Sequence, residues 1–229
     1  MKILCLETAT EVCSVALTEN GKLLHLREDA SQGAHSRNLT VFIEELLTEH
    51  NLAATDLAAV AVSKGPGSYT GLRIGVSAAK GLCYAANLPL IAVSTLKAMA
   101  AGAKAQTTLA PNTLICPMID ARRMEVYSAF FTPDLQQFRG VAADIITPEI
   151  YAELLEKQPV LFCGNGAPKC KEILSVFPNA TFLDQAVTSA QYMAAFAYEE
   201  LKANHTQDVA YFEPFYLKEF IAGTPKKML

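Results

Sequence analysis

One order of elements runs through this chain twice, and that repetition limits the folds open to it more than any other feature. In the first half, residues 2–7, 12–18 and 23–27 alternate or run apolar between turn signals, which predicts three consecutive antiparallel strands. Asn20-Gly21 supplies the positive-φ positions of a type I′ hairpin between the last two. Leu39, Phe42, Ile43, Leu46 and Leu47 then recur at helical spacing, with Glu44, Glu45 and Glu49 off the stripe. Residues 56–63 predict a buried strand, 69–86 a helix, 90–93 a strand and 94–105 a further helix. The second half starts again with an apolar strand ending in a carboxylate, 114–120, followed by strands over 125–131 and around 141–146. Thr147-Pro148-Glu149 reads as a helix start, with Thr as cap and Pro at the first helical position. Residues 160–163 run as a strand into Gly164-Asn165-Gly166, and a helix over 188–204 with an extended tail through 212–215 completes the chain.

The order β-β-β-α-β-α in each half predicts an α/β chain of two related halves, each a mixed sheet with flanking helices. Residues 102–111 are small, polar and end in Pro111, which marks a linker. The expected division is therefore 1–105, carrying a glycine loop, and 106–229, whose last helix is free to pack back on the first half. Only 18% of the 229 residues are charged, against about 25% in an average soluble chain. Nineteen basic and twenty-three acidic side chains leave a net charge of −4. A protein that grips nucleic acid unaided normally carries a basic surplus, so strong independent RNA or DNA binding is not expected. No segment reaches the ~18 consecutive apolar residues of a membrane span, and the start is too short in apolar residues for a signal-peptide core. The six cysteines contain no CxxC pair and sit mostly in apolar runs, which reads as buried free thiols in a reducing cytoplasm. A disulfide between Cys5 and Cys13 across the first hairpin is the minor alternative.

Residues 65–71, GPGSYTG, join a strand to a helix but match neither GxxxxGK[ST] nor GxGxxG. Such a turn aims N–H groups at an anion above the helix N-terminus, or it serves only to turn the chain tightly. Gly65, Gly67 and Ser68 are the candidate contacts, with Gly164 and Gly166 at the matching junction of the second half. Glu7 and Asp120 each end the first strand of a half and are expected at one cleft. There they either serve catalysis or Mg²⁺, or hydrogen-bond their own turns. In the helix over 69–86 the only charges are Arg73 and Lys80, while Gly71, Gly75 and Ala79 make a stripe without bulk. Two readings stand: a core helix of a monomer, or an interface helix presenting Gly71, Arg73, Gly75, Val76, Ala79 and Lys80 beside Leu39 and Phe42. His35 has Leu39 four residues on, and neither HExxH nor GxSxG occurs, so neither metal ligation nor a serine nucleophile is expected.

Residues 62–75, VSKGPGSYTGLRIG, resemble the signature of the bacterial TsaB (YeaZ) family. Residues 4–10, LCLETAT, residues 119–127, IDARRMEVY, and Gly164-Asn165-Gly166 agree with it. The resemblance implies an actin-like ATPase-type (ASKHA) fold and a role in making threonylcarbamoyladenosine next to the anticodon of tRNA. It implies a noncatalytic subunit that activates the transferring paralogue TsaD. The ATPase subunit TsaE and tRNA are then met only through the complex, and alone the chain pairs with a second copy. It implies no cofactor for the isolated chain and ATP at the junction with the paralogue. The paralogue's HxxxH metal motif is here His35-Ser36-Arg37-Asn38-Leu39, without the second ligand. Glu7 stands where many relatives have Asp, and Met124 where Gly is usual; both argue against independent ATP hydrolysis. The rival functions are an ATPase or phosphotransferase of the same fold and, behind it, a metal-dependent glycoprotease.

Overall fold

The computed structural model describes residues 1–184 and 188–218. The first half opens with β1 (Lys2–Glu7), β2 (Cys13–Glu19) and β3 (Lys22–Asp29). Asn20 and Gly21 take φ of 50° and 78°, so the β2–β3 turn has the geometry its sequence predicts. Helix α1 (Ala34–Glu49), β4 (Ala59–Ser63), α2 (Tyr69–Ala86), β5 (Leu90–Val93) and α3 (Thr95–Gln106) follow. The second half runs β6 (Leu114–Asp120), β7 (Glu125–Phe131), β8 (Gln137–Ile145), α4 (Ala152–Lys157), β9 (Val160–Cys163), α5 (Ala167–Leu174), β10 (Ala180–Phe182) and α6 (Ala194–Lys202).

The strand orders β3-β2-β1-β4-β5 and β8-β7-β6-β9-β10 are the same order in two copies. In each sheet the first two pairings are antiparallel hairpins, and the last two are parallel pairings reached through a helix. Leu4, Leu6, Val15, Val60 and Val62 pack under α1 and α2 on one face of the first sheet. On its other face Ile3, Cys5, Ala59, Ala61 and Ile91 meet Met193 and Ala197. Helix α6 therefore crosses back onto the first half. Leu96, Met99, Ala100 and Ala103 of α3 are buried against Ile115, Ile119, Ala129 and Phe131 of the second sheet, so α3 wedges the halves together. All six cysteines are free and buried. Cys5 lies opposite Ala16 and Cys13 opposite Asp29, so the two do not face each other across the hairpin.

Three local expectations are corrected. The helix expected from Thr147 starts at Ala152, because Tyr151 is held first: its hydroxyl donates to Asp144 Oδ2 at 2.7 Å in a buried cluster with Ser128 and Arg139. The segment expected as one helix over 188–204 begins with a 3-10 turn, Ala190–Met193, in which the Ser189 hydroxyl accepts from Gln191 N. The strand expected from 56 starts at Ala59, behind a 3-10 turn at Ala54–Asp56 closed by the Asp56 carboxylate accepting from Ala53 N. Strand β10, three residues long, is too short to show a period.

Candidate functional site

The repeat places the β1–β2 turn of the first half and the β6–β7 turn of the second at one opening. Between them lies a cleft of about 850 Å³. Its first wall is residues 9–11, the loop over 30–33 with His35, and residues 67–70 at the N-terminus of α2. Its second wall is residues 119–123 with Glu125 and Asn165. Tyr216 and Lys218 of the C-terminal segment close one side.

Asn165 joins the walls. Its Oδ1 accepts from Asp120 N at 3.1 Å, and its Nδ2 donates to Glu11 Oε2 at 2.8 Å. Asp120 accepts from Arg122 N at 2.7 Å and from Lys169 Nζ, and these donors hold its carboxyl below the usual range against the effect of burial. Glu125 is paired with Lys218. Each lining carboxylate thus already has a partner.

Of the expected ligand contacts, Gly67, Ser68 and Asp120 line this cleft, and Gly65, Glu7, Gly164 and Gly166 do not. Gly65 sits at φ 107° beneath the C-terminal segment, where a Cβ would lie 2.7 Å from Phe215 O; its N donates to Thr95 Oγ1. Gly164 packs against Met118 and Met99, and Gly166 against Ile119 and Val126. These glycines serve close packing rather than a ligand. Glu7 is wholly buried. Its Oε1 accepts from Ala9 N at 2.6 Å, its Oε2 has no partner, and burial pushes its pKa up to about 7. The expectation that Glu7 and Asp120 face each other across the cleft is corrected: Glu7 points into the protein and Asp120 toward the opening.

The stripe of Gly71, Gly75 and Ala79 is also corrected. A Cβ at Gly71 would lie 2.1 Å from Thr8 O, and one at Gly75 would lie 2.2 Å from Thr8 Oγ1. The small residues let α2 settle onto the chain leaving β1, so they are core and not free for another helix. Leu39, Val76 and Ala79 are core as well, and Phe42 packs against them half-buried. Arg73 is exposed, lies over the Tyr69 ring and donates to the Tyr216 hydroxyl. Lys80 donates to Ala210 O and Phe212 O. The C-terminal segment thus engages both cations of α2. The outward face carries Ser77, Gly81 and Ala85 at successive turns beside Tyr84, which is 85% exposed.

His35 lines the cleft with Nε2 3.2 Å from Val12 O, and Leu39, a turn away, faces the core. Among the described residues no group of three or more His, Cys, Asp or Glu is placed to hold a metal ion. The fold class implies a Mg²⁺-nucleotide in such a cleft, but the residues do not fit one: Glu7 is sealed away, and Asp120, Glu11 and Glu125 are all engaged. Sequence reasoning missed Glu11, Arg122, Arg123, Asn165, Tyr216 and Lys218. Asn165 sits inside the Gly164-Asn165-Gly166 junction and the arginines inside a predicted turn, so both were within reach. Tyr216 and Lys218 arrive only through a long-range return of the chain.

Comparison with known proteins agrees with this geometry. Residues 28–225 match the family described as TsaD, tRNA N6-adenosine threonylcarbamoyltransferase. The chain is 33% identical over 227 residues to the tRNA threonylcarbamoyladenosine biosynthesis protein TsaB of Haemophilus influenzae, covering 95% of this chain and 94% of that one. It is 37% identical over 159 residues to the protein of the same name from Escherichia coli, covering 69% and 67%. A crystal structure from Pseudomonas aeruginosa, described as an uncharacterized protein with similarity to peptidase YEAZ, superposes with a TM-score of 0.77 at 25% identity over 95% of this chain and 99% of that one. The activator of 2-hydroxyisocaproyl-CoA dehydratase from Clostridium difficile, solved with bound ADPNP, superposes with a TM-score of 0.51 at 11% identity over 90% and 97%. The fold is the duplicated actin-like ATPase type. Among the described residues no helix is long and apolar enough to cross a membrane.

Proposed function

Because this chain belongs to the TsaB family of tRNA threonylcarbamoyladenosine biosynthesis proteins, we propose that it is the noncatalytic partner of the threonylcarbamoyl-transferring paralogue TsaD. The observation that carries this reading is the state of the cleft carboxylates. Glu7 faces inward and Asp120 is held by Lys169, so among the described residues the cleft presents no free carboxylate pair for phosphoryl chemistry. The reading needs no cofactor in the chain itself and puts ATP, where the complex holds it, at the junction with the transferase. The ATPase subunit TsaE and tRNA are then reached through the complex.

The partner surface in this reading is the outward face of α2. Ser77, Gly81 and Ala85 allow a second helix to approach, and Tyr84 supplies the large, rigid contact typical of binding hot spots. Without the transferase the same face is open to a second copy of the chain. A Cβ at Gly81 meets nothing within 4 Å, so Gly81→Leu leaves the isolated chain folded. Overpacking at an interface typically costs about 1–3 kcal/mol, which corresponds to roughly 5- to 150-fold weaker association. The measurement is the affinity for the purified transferase, beside the melting temperature of each protein alone. ATP turnover is followed for each protein alone and for the mixture. Unchanged affinity in both Gly81→Leu and Ser77→Arg would remove α2 as the partner surface, and turnover by the isolated chain would revive the ATPase alternative.

A further inference from the structure

We propose that Glu7 is a proton-operated latch: protonated, it seats the turn over residues 8–11 beneath the N-terminus of α2, and ionised, it lets that turn open while the sheet stays folded. Glu7 is the last residue of β1 and lies on the side of the sheet that carries Ile3 and Cys5. Its Oε1 accepts from Ala9 N at 2.6 Å, and the Ser63 hydroxyl accepts from Thr8 N at 3.4 Å. Ala9 O accepts from Ser68 N at 2.7 Å, and Ser68 caps α2. A Cβ at Gly67 would lie 2.4 Å from Ala9 O, so the glycine loop rests directly on the turn. The Thr10 and Thr188 hydroxyls bond to each other, and Ala190 N donates to Ser14 Oγ at 2.8 Å, which pins the far side of the turn to the segment before α6.

Within this close packing the turn is the weak point. Among the described residues four buried side-chain polar atoms lack a partner, and two of them, Glu7 Oε2 and Thr8 Oγ1, sit on consecutive residues here. Opening the turn gives both atoms water. For Thr8 that gain is the same at every pH. For Glu7 it grows with ionisation, because burial opposes the charge and pushes the carboxyl up to about 7. No charged neighbour acts on it: burial, the Ala9 and Thr8 amides and the Ser63 hydroxyl set its ionisation. Opposite Glu7, Ser14 donates to Glu28, and Cys5 on the same side is kept a thiol by burial. Glu11 is engaged by Asn165, Lys64 is exposed and Lys97 lies over the Phe196 ring. The equivalent Asp120 is held ionised by Lys169, so the latch belongs to the first half alone. Glu11 ends the same turn and carries the tie to Asn165, so opening also frees one wall of the cleft from the other.

Amide exchange of the full chain, followed by NMR at pH 6 and pH 8, tests this. The reporters are the Thr8, Ala9 and Ser68 amides, and the amides of β1 and β4 report on the sheet. The three reporters are expected to exchange through an opening that leaves β1 and β4 protected. With a carboxyl that moves from about 7 to 4.5 on opening, the opening constant rises about tenfold between pH 6 and pH 8, beyond the base-catalysed acceleration common to all amides. Glu7→Gln keeps an oxygen for Ala9 N and is expected to abolish that extra rise. In the native chain a ¹³C titration of the Glu7 carboxyl is expected to show a midpoint of about 7. Ser63→Ala removes a hydroxyl that favours the ionised form, so it is expected to move the midpoint upward. Three results overturn the proposal: reporters that exchange only together with β1 and β4, an extra rise that survives in Glu7→Gln, or a native midpoint in the ordinary carboxylate range. No partner or ligand is present, so the outcome is independent of association with the transferase.

Discussion

A Glu7→Gln variant is expected to be more stable than the native chain at pH 8, by a margin that shrinks to under about 1 kcal/mol at pH 5. The Glu7 carboxyl is completely buried, and only one of its oxygens has a partner. Burial opposes the charged form, so the folded-state pKa rises from 4.5 to about 7. Below pH 4.5 both folded and unfolded chains carry the proton, and the group adds no penalty. Between pH 4.5 and 7 the unfolded chain gives up its proton first, so stability falls as pH rises. Above pH 7 both states are ionised, and the full penalty of about 3 kcal/mol applies. The glutamine amide keeps an oxygen for Ala9 N–H and stays neutral at every pH. Urea unfolding at pH 5 and pH 8 checks this. Native stability that does not fall between those values, or a variant weaker than native at pH 8, contradicts the assignment of Glu7 as a buried acid with a raised pKa.

Three glycine-to-alanine substitutions in α2 are expected to separate by several kcal/mol, in an order set by what each new methyl meets. At Gly71 it meets the carbonyl oxygen of Thr8 at 2.1 Å, a backbone atom that moves only with β1 and its turn. A loss of about 3 kcal/mol, the upper end of overpacking, is expected despite the better helix propensity of alanine. At Gly75 it meets the Thr8 hydroxyl at 2.2 Å, and rotation of that side chain gives partial relief, so the loss is smaller. At Gly81 it meets nothing, and alanine should stabilise the helix by about 1 kcal/mol. Thermal melts of the isolated chain give the order Gly81→Ala above native, then Gly75→Ala, then Gly71→Ala. A Gly71→Ala protein as stable as native would mean that the inner stripe is not packed on its own chain.

Much of the architecture was legible in the residues. Periodicity sets β1, α2, β5, β6, β7 and β9 at the bounds the structure shows, because each of these strands is a buried apolar run closed by a turn signal and α2 runs between a glycine loop and Asn87. The repeat of element order was enough to predict two related halves. At α4 the local pattern failed because a contact with another element intervened. Tyr151 delays α4 because its hydroxyl is held by Asp144, seven residues earlier in sequence and on another element.

The candidate site divides along the same line. Sequence alone determined that a glycine loop opens α2, that Asp120 ends a strand at a turn, and that His35 lacks a second helical ligand at Leu39. Those are properties of neighbouring residues, and spacing reveals them. Only the tertiary structure decided which way each group faces. A carboxylate at a strand end can point to solvent or into the core, and Glu7 and Asp120, equivalent in the repeat, do opposite things. A small-residue stripe admits any close backbone, and the one that fills it is the chain's own Thr8 rather than a partner's helix. Helical spacing specifies that a face is narrow, but the element that packs there is chosen by contacts more than sixty residues apart in the chain.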